Sequence, residues 1–335
     1  MVRGLERYEA INRSEAIAKF QIAKRIPAEK AEEFEEKLRI HEKLKKELKR
    51  MMDEDFSLLK EKPSDYSFLH LKRDILYEML RSCNFCERKC GINRYEEKGF
   101  CKCSVNSYFS SEFLHMGEEP ELIPSHTIFF NRCTFACVFC QNYDIVYSDD
   151  FIADAKDLAY IIDRRYRQGS RNVNFVGGNP DQHAHTITEI LLNVESNIPV
   201  VWNSNMYHSV ELANVIEDFV DVWLGDFKYG NNSCALRYSK VPRYLEVVQR
   251  NFLRAKENGE LLIRHLVMPG HIECCTEKIV DWVAENLGRD VRFNLMFQYY
   301  PTFKAYEYPE IARRLSIDEM NRSYAIASRK LTNLV

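Results

Sequence analysis

The sequence predicts an α/β protein organised around a mostly parallel sheet, and three observations carry that prediction. From residue 123 onward, short apolar runs alternate with amphipathic stretches six times in succession, the pattern of repeated strand–helix units. The apolar runs are nearly continuous, as expected of strands covered on both faces. Only 12 Gly and 10 Pro occur in 335 residues, so long irregular loops are few. A curled partial barrel and an open, doubly wound sheet both satisfy these patterns.

The candidate strands cover 124–131, 172–177, 198–203, 221–226, 260–267 and 291–297. Helical periodicity falls between them, around 153–168, 182–195, 208–219, 241–258 and 276–287. A C-terminal helical segment, 301–335, follows the strand–helix region of 123–300. At the other end, residues 1–75 form a charged helical extension carrying 18 Lys/Arg and 16 Asp/Glu, with a composition break near Pro63. Pro27 suits a first helical turn, and no Gly or Pro intervenes up to Met52. Phe34, Leu38, Leu48 and Met52 share one helical face, so a mostly solvated helix with one packed stripe is expected. Lys43, Lys45, Lys46, Lys49 and Arg50 would also allow a partner- or RNA-touching arm, but Glu42 and Glu47 nearly neutralise them.

Composition narrows the function classes. With 45% hydrophobic and 12% aromatic residues a large core is available. A formal charge of −3 argues against nucleic acid as a general electrostatic partner. No run approaches the roughly 18 apolar residues of a membrane span. The start, Met1 to Arg7, lacks a secretory apolar region. The expected location is the cytoplasm, where disulfides are disfavoured.

Eleven cysteines are present, and their spacing sorts them. Cys234, Cys274 and Cys275 are read as ordinary buried thiols. Within a Cys-rich segment, 76–122, Cys83, Cys86, Cys90 and Cys101 give C-x2-C-x3-C-x10-C, with Cys103 able to replace Cys101. Four thiolates suit tetrahedral zinc or a closed iron–sulfur cluster. Zinc is favoured because the full ferredoxin-type run is absent. Cys133, Cys137 and Cys140 form C-x3-C-x2-C just after the first strand. Three thiolates can hold three irons of a 4Fe–4S cubane and leave the fourth open, which is what chelation by S-adenosylmethionine (SAM) requires.

The run C-x3-C-x-aromatic-C, with Phe139 as the aromatic, resembles the signature of the radical SAM superfamily. Gly177, Gly178, Asn179 and Pro180, ending the second strand, resemble the superfamily's GGEP motif, with Asn179 where Glu is usual. Asn203, Ser204 and Asn205 end the third strand, where the family places polar contacts to SAM. Asp226 and Lys228 resemble a D-x-K segment, and Arg264 with Val267–Gly270 resembles an R-x-x-V-x-P-G run, both of glycyl-radical activating enzymes. The match is nearest to the pyruvate formate-lyase-activating-enzyme-like subfamily and covers roughly 80–330.

The resemblance implies a partial (β/α)6 TIM-type barrel, a radical SAM core, with SAM and a 4Fe–4S cluster as cofactors. It assigns the cluster to Cys133, Cys137 and Cys140. It assigns SAM contacts to Phe139, Gly177, Gly178, Asn179, Asn203, Ser204, Asp226, Lys228 and Arg264. It implies an electron donor such as a flavodoxin or ferredoxin, and a substrate hydrogen that a glycine of a partner protein would supply. No catalytic acid, base or nucleophile is expected. The plainer readings are an Asp226–Lys228 ion pair, Arg264 bridging barrel carboxylates, and Ser204 or Asn205 capping the next helix. A metal-stabilised module binding nucleic acid or protein, and a radical SAM enzyme acting on a small molecule or another macromolecule, are the alternative functions.

Overall fold

Strand order decides between the two sheet architectures. In a computed structural model describing residues 4–52 and 56–335, the eight strands are β1 Tyr108–His115, β2 Ser125–Phe130, β3 Phe151–Ile152, β4 Asn172–Gly177, β5 Val200–Ser204, β6 Val222–Asp226, β7 Glu260–Leu266 and β8 Arg292–Met296. Residues 1–3 and 53–55 of the expected extension lie outside the described residues. The sheet order is β3-β1-β2-β4-β5-β6-β7-β8, and every pair from β2 to β8 is parallel. Those six parallel strands are the six expected from sequence. Their order never reverses, so there is no switch point of the doubly wound kind. The sheet curls as a partial barrel, open between β8 and the β3–β1 edge.

The antiparallel β1 pairs with β2 and β3 and was not anticipated. Its residues are half-buried or exposed, and its polar Ser110, Ser111 and Glu112 break any apolar run. It therefore lacks the signal that marked the parallel strands.

Helices run in chain order as α1 Glu6–Asn12, α2 Lys19–Ala23, α3 Phe34–Met51, α4 Phe68–Met79, the single turn α5 Tyr143–Val146, α6 Ala155–Arg167, α7 Ala184–Asn193, α8 Val210–Ile216, α9 Asn232–Ser239, α10 Tyr244–Asn258, α11 Lys278–Asn286 and α12 Ile317–Lys330. Polar caps fix several starts. Asp154 accepts from the first-turn amides of α6, Ser209 does so for α8 and Asn231 for α9. Ser316 and Glu319 form a capping box on α12.

The N-terminal residues pack on the barrel. Leu5 and Tyr8 cluster with Val201, Val222, Leu224 and Leu262, closing the N-terminal end of the strands. Glu260, first residue of β7, accepts from the amides of Arg7 at 2.6 Å and Tyr8 at 2.7 Å and so caps α1. In α3 the buried stripe is His41, Leu44 and Leu48, whereas Leu38 is exposed. Lys72 of α4 ties this layer together, reaching Asp218 at 2.6 Å and the Val215 carbonyl at 2.8 Å. Among the described residues no helix is long and apolar enough to cross a membrane.

Candidate functional site

The first parallel strand delivers the cysteine loop to the C-terminal end of the barrel, where parallel barrels place their chemistry. After β2 the loop carrying Cys133, Cys137 and Cys140 is held by α9: the amide of Ala136 donates to Ser239 O at 3.0 Å and that of Val138 to Tyr238 O at 2.8 Å. Cys133 Sγ accepts from the Phe135 amide at 3.4 Å and lies 3.7 Å from Asn205 Nδ2. Cys137 Sγ accepts from Ser239 Oγ at 2.9 Å. Burial pushes all three thiols up, Cys140 to about 12. Unliganded, they are protonated, and binding a metal would have to displace those protons.

The loop opens onto a cavity of about 580 Å³ at the strand ends. Every residue assigned above to the cluster or to SAM lines it. Gly177 and Gly178 are required by close approach. A Cβ on Gly177, which has φ +113°, would meet Phe130 O at 2.1 Å, and one on Gly178 would meet Arg132 O at 1.7 Å. The end of β4 can thus press against the start of the cysteine loop. Asn179 is buried, and its side chain joins loops: Oδ1 accepts from the Asn205 amide at 3.0 Å and Nδ2 donates to Gln182 at 3.1 Å.

Strand alternation separates Asn203 from Ser204. Asn203 Nδ2 is buried without a partner among the described residues and belongs to the cavity wall. The hydroxyl of Ser204 turns to Asp181, 2.9 Å away, beside the indole N–H of Trp202, although the residue also lines the cavity. Asn205 donates to Thr134 Oγ1 at 2.9 Å, and the cap of α8 is Ser209, not Ser204 or Asn205.

Charge inside the barrel is arranged in two groups. Lys228 Nζ donates to Asp226 at 2.6 Å. Burial pulls the Lys228 ammonium down, but the adjoining Asp226 carboxylate more than offsets this and holds it above the usual lysine range. Arg264 reaches Glu119 through two bonds of 2.7 and 2.6 Å and also bonds Glu118. Burial pushes Glu119 up, but Arg264 and Asn294 outweigh it, so the carboxyl is lowered. The carboxylate-bridging reading of Arg264 is therefore realised within the cavity wall.

The family described as the radical SAM superfamily matches residues 127–283, from within β2 to α11. An uncharacterised protein of Methanocaldococcus jannaschii, MJ0674, is 46% identical over 99% of both chains. The chain belongs to one family with that archaeal protein and carries a radical SAM domain. Among solved structures, Streptococcus suis SuiB bound to S-adenosylmethionine is similar with a TM-score of 0.48 and 17% identity, over 61% of this chain and 47% of that one. This chain thus spans about half of the SuiB chain. TYW1 with a lysine–pyruvate adduct bound is similar with a TM-score of 0.42 and 14% identity, over 61% of this chain and 74% of that one.

Beside the radical SAM domain, Cys83, Cys86, Cys90 and Cys101 line one small enclosed cavity with Arg88 and Phe100. Cys103 sits behind it, its thiol on the Cys101 carbonyl at 3.7 Å. The thiols of Cys83 and Cys103 pull Cys90 and Cys101 down to about 6. Arg88 stacks on Phe100, 3.4 Å from the ring centroid, and donates to Thr134 O at 2.9 Å. This links the Cys-rich segment to the Cys133–Cys140 loop.

Sequence reasoning assigned no role to Glu118, Glu119 or Ser239, and gave Asn205 as a strand-end polar residue near SAM or, more plainly, a helix cap. Asn205 was visible as the third polar residue of a strand end. The two glutamates lie on the turn after an unrecognised strand, and Ser239 ends an unrecognised helix, so nothing local marked them.

Proposed function

We propose that this chain is a radical SAM enzyme in which Cys133, Cys137 and Cys140 hold a 4Fe–4S cluster open at one iron to SAM, and that it takes its hydrogen atom from a segment of another protein, a backbone glycine in the activase-like form of the reading. The observation that carries it is the convergence of three thiols from one loop with the ends of β4, β5, β6 and β7 around one cavity. The donor set fits: the sulfurs are soft iron ligands and number one fewer than a closed cubane uses. The unpartnered Asn203 Nδ2 fits as well, since a buried donor needs an acceptor and a polar ligand would bring one.

When bound, the cluster and SAM would supply one-electron cleavage of the sulfonium carbon–sulfur bond and, through it, a carbon-centred radical able to take a substrate hydrogen. This chain's own part is to position and shield. Phe139 is held edge-on by Tyr299, with ring centroids 5.8 Å apart, and offers a flat wall to the adenine. The paired Asp226 and Lys228 present both signs of charge to the amino-acid end of SAM. Arg264, tied down by Glu118 and Glu119, stiffens the inner wall. No side chain has to move a proton, because hydrogen abstraction needs neither acid nor base. The unclosed side of the barrel, with exposed Tyr147 and Tyr300, gives a protein segment a route to the mouth. A small one-electron carrier such as flavodoxin or ferredoxin would serve as reductant. In this reading zinc occupies the cavity of Cys83, Cys86, Cys90 and Cys101.

The test is anaerobic incubation of reconstituted protein with dithionite and SAM. Formation of 5′-deoxyadenosine, abolished in Cys137→Ala, is expected. Absence of both SAM binding and SAM cleavage would remove the enzyme reading. Cleavage with every candidate partner but no glycyl EPR signal would remove only the activase form.

A further inference from the structure

Three cysteines far from either thiol group in sequence do not behave as scattered thiols. Cys234 lies in the first turn of α9, while His271, Cys274 and Cys275 follow β7, the two cysteines within a π-helical turn, Ile272–Glu277, that leads into α11. The ligand atoms of Cys234, His271 and Cys274 all lie within 4.8 Å of one another. Cys275 Sγ stands 3.9 Å from Cys274 Sγ and is buried. π-Type turns recur at functional sites because the extra residue redirects side chains toward one point.

The hydrogen bonds around His271 point to a ligand. The ring is 6% exposed, so its nitrogens must find partners within the protein. Nδ1 lies 2.7 Å from the Pro269 carbonyl, which can only accept, so Nδ1 carries the proton. Nε2 faces Tyr238 Oη at 3.1 Å, but that hydroxyl has one proton and donates it to Glu310 at 2.7 Å. In neutral His271 the Cys234 thiol, hydrogen-bonded to the ring, is then the proton donor left for the Nε2 lone pair, and a metal ion would take that proton's place. An imidazole whose other nitrogen is fixed on a carbonyl is how metal-bound histidines are oriented.

We propose that Cys234, His271 and Cys274 bind a zinc ion, with Cys275 or water as the fourth ligand. Two thiolates and one imidazole are a zinc donor set. On binding, each ligating thiol gives its proton to solvent, and no electron is transferred. The ion would clamp α9 to the turn after β7. The same helix, five residues on, holds the Cys133–Cys140 loop through Ser239 and Tyr238. That last consequence rests on the radical SAM reading, whereas zinc binding itself does not.

The test measures metal content and thiol protection in the full chain, purified anaerobically with zinc in the medium. Cys234→Ser and Cys274→Ser are each expected to lower zinc by one equivalent per chain, measured by mass spectrometry of the metals, while iron is retained. Cys86→Ser, in the upstream cavity, should leave the Cys234 site loaded. In the unsubstituted protein, Cys234 and Cys274 should resist iodoacetamide until a chelator is added. That readout decides the matter even where a variant fails to fold. Equal zinc in the variants, equal alkylation with and without chelator, or recovery of Cys234 in a disulfide would each overturn the proposal. Loss of SAM cleavage alone would bear on the function of the barrel and not on this site.

Discussion

Glu260 shows how one carboxyl can couple the floor of the barrel to pH. Its oxygens cap α1, yet burial, with Asp221 and Glu6 adding repulsion, pushes its pKa up from 4.5 to about 7. A carboxyl raised on folding stabilises the protein fully below pH 4.5, and that contribution disappears as pH rises through about 7. A shift of this size corresponds to about 3 kcal/mol. Denaturant titrations from pH 5 to 8 should therefore show this loss in the natural chain and a flatter profile in Glu260→Gln. Identical slopes would show that Glu260 does not titrate differently in the folded state. Ser239 allows a second residue-level test. Its hydroxyl donates to Cys137 Sγ, and if Cys137 holds the proposed cluster this bond would raise its reduction potential. Ser239→Ala should move the cluster potential to more negative values with iron content unchanged, as read by EPR-monitored redox titration.

At the scale of elements, the contact between the end of β4 and the cysteine loop is the most demanding in the barrel. A methyl on Gly178 would fall inside the backbone of Arg132, the residue before the first cysteine. Backbone cannot yield as a side-chain tip can, so Gly178→Ala must displace one loop at a cost of about 1–3 kcal/mol or more. Loss of SAM binding by at least about tenfold is expected, 1.4 kcal/mol being a factor of 10, together with lowered iron incorporation. Titration calorimetry and metal analysis would measure them, and binding within twofold of the natural chain would contradict this account. The six parallel strands were legible because burial on both faces imposes unbroken apolar runs such as Val200–Trp202. The cysteine loop and the strand-end glycines were legible because their chemistry sits in short, fixed spacings. β1 and α9 were not. β1 is an edge strand of mixed polarity, and α9 is eight residues whose Ser and Arg leave no clear apolar stripe. The grouping of Cys234 with Cys274 depends on tertiary contact between α9 and the turn after β7, which no local spacing encodes. Ser204 and Asn203 are neighbours in sequence, and only the strand's facing direction separates their roles.

Across the whole molecule, the charged N-terminal residues divide into a solvated helix and a buried floor. α3 exposes most of its length, and its charge density is what a solvated face carries. Residues 5–26 are the opposite, with Leu5, Tyr8, Phe20, Ile22 and Ile26 fully buried. Lys19 is buried as well, and its Nζ donates to Glu217 O at 3.2 Å and also bonds Asn258 O, so this segment is joined to the loops at the base of the barrel by hydrogen bonds as well as packing. We propose that the segment is part of the barrel's core and not a separable domain. Tyr8→Ala should then cost about 3–5 kcal/mol, as large aromatic truncations in cores do. Lys46→Ala, on the exposed face of α3, should change stability by no more than about 0.5 kcal/mol. Deleting residues 1–26 should expose Val201, Val222, Leu224 and Leu262, leave Glu260 without the amides it caps, and give a chain that binds hydrophobic dye and aggregates. A truncated chain that stays monomeric, melts cooperatively and still incorporates iron would show instead that the strands close their own base.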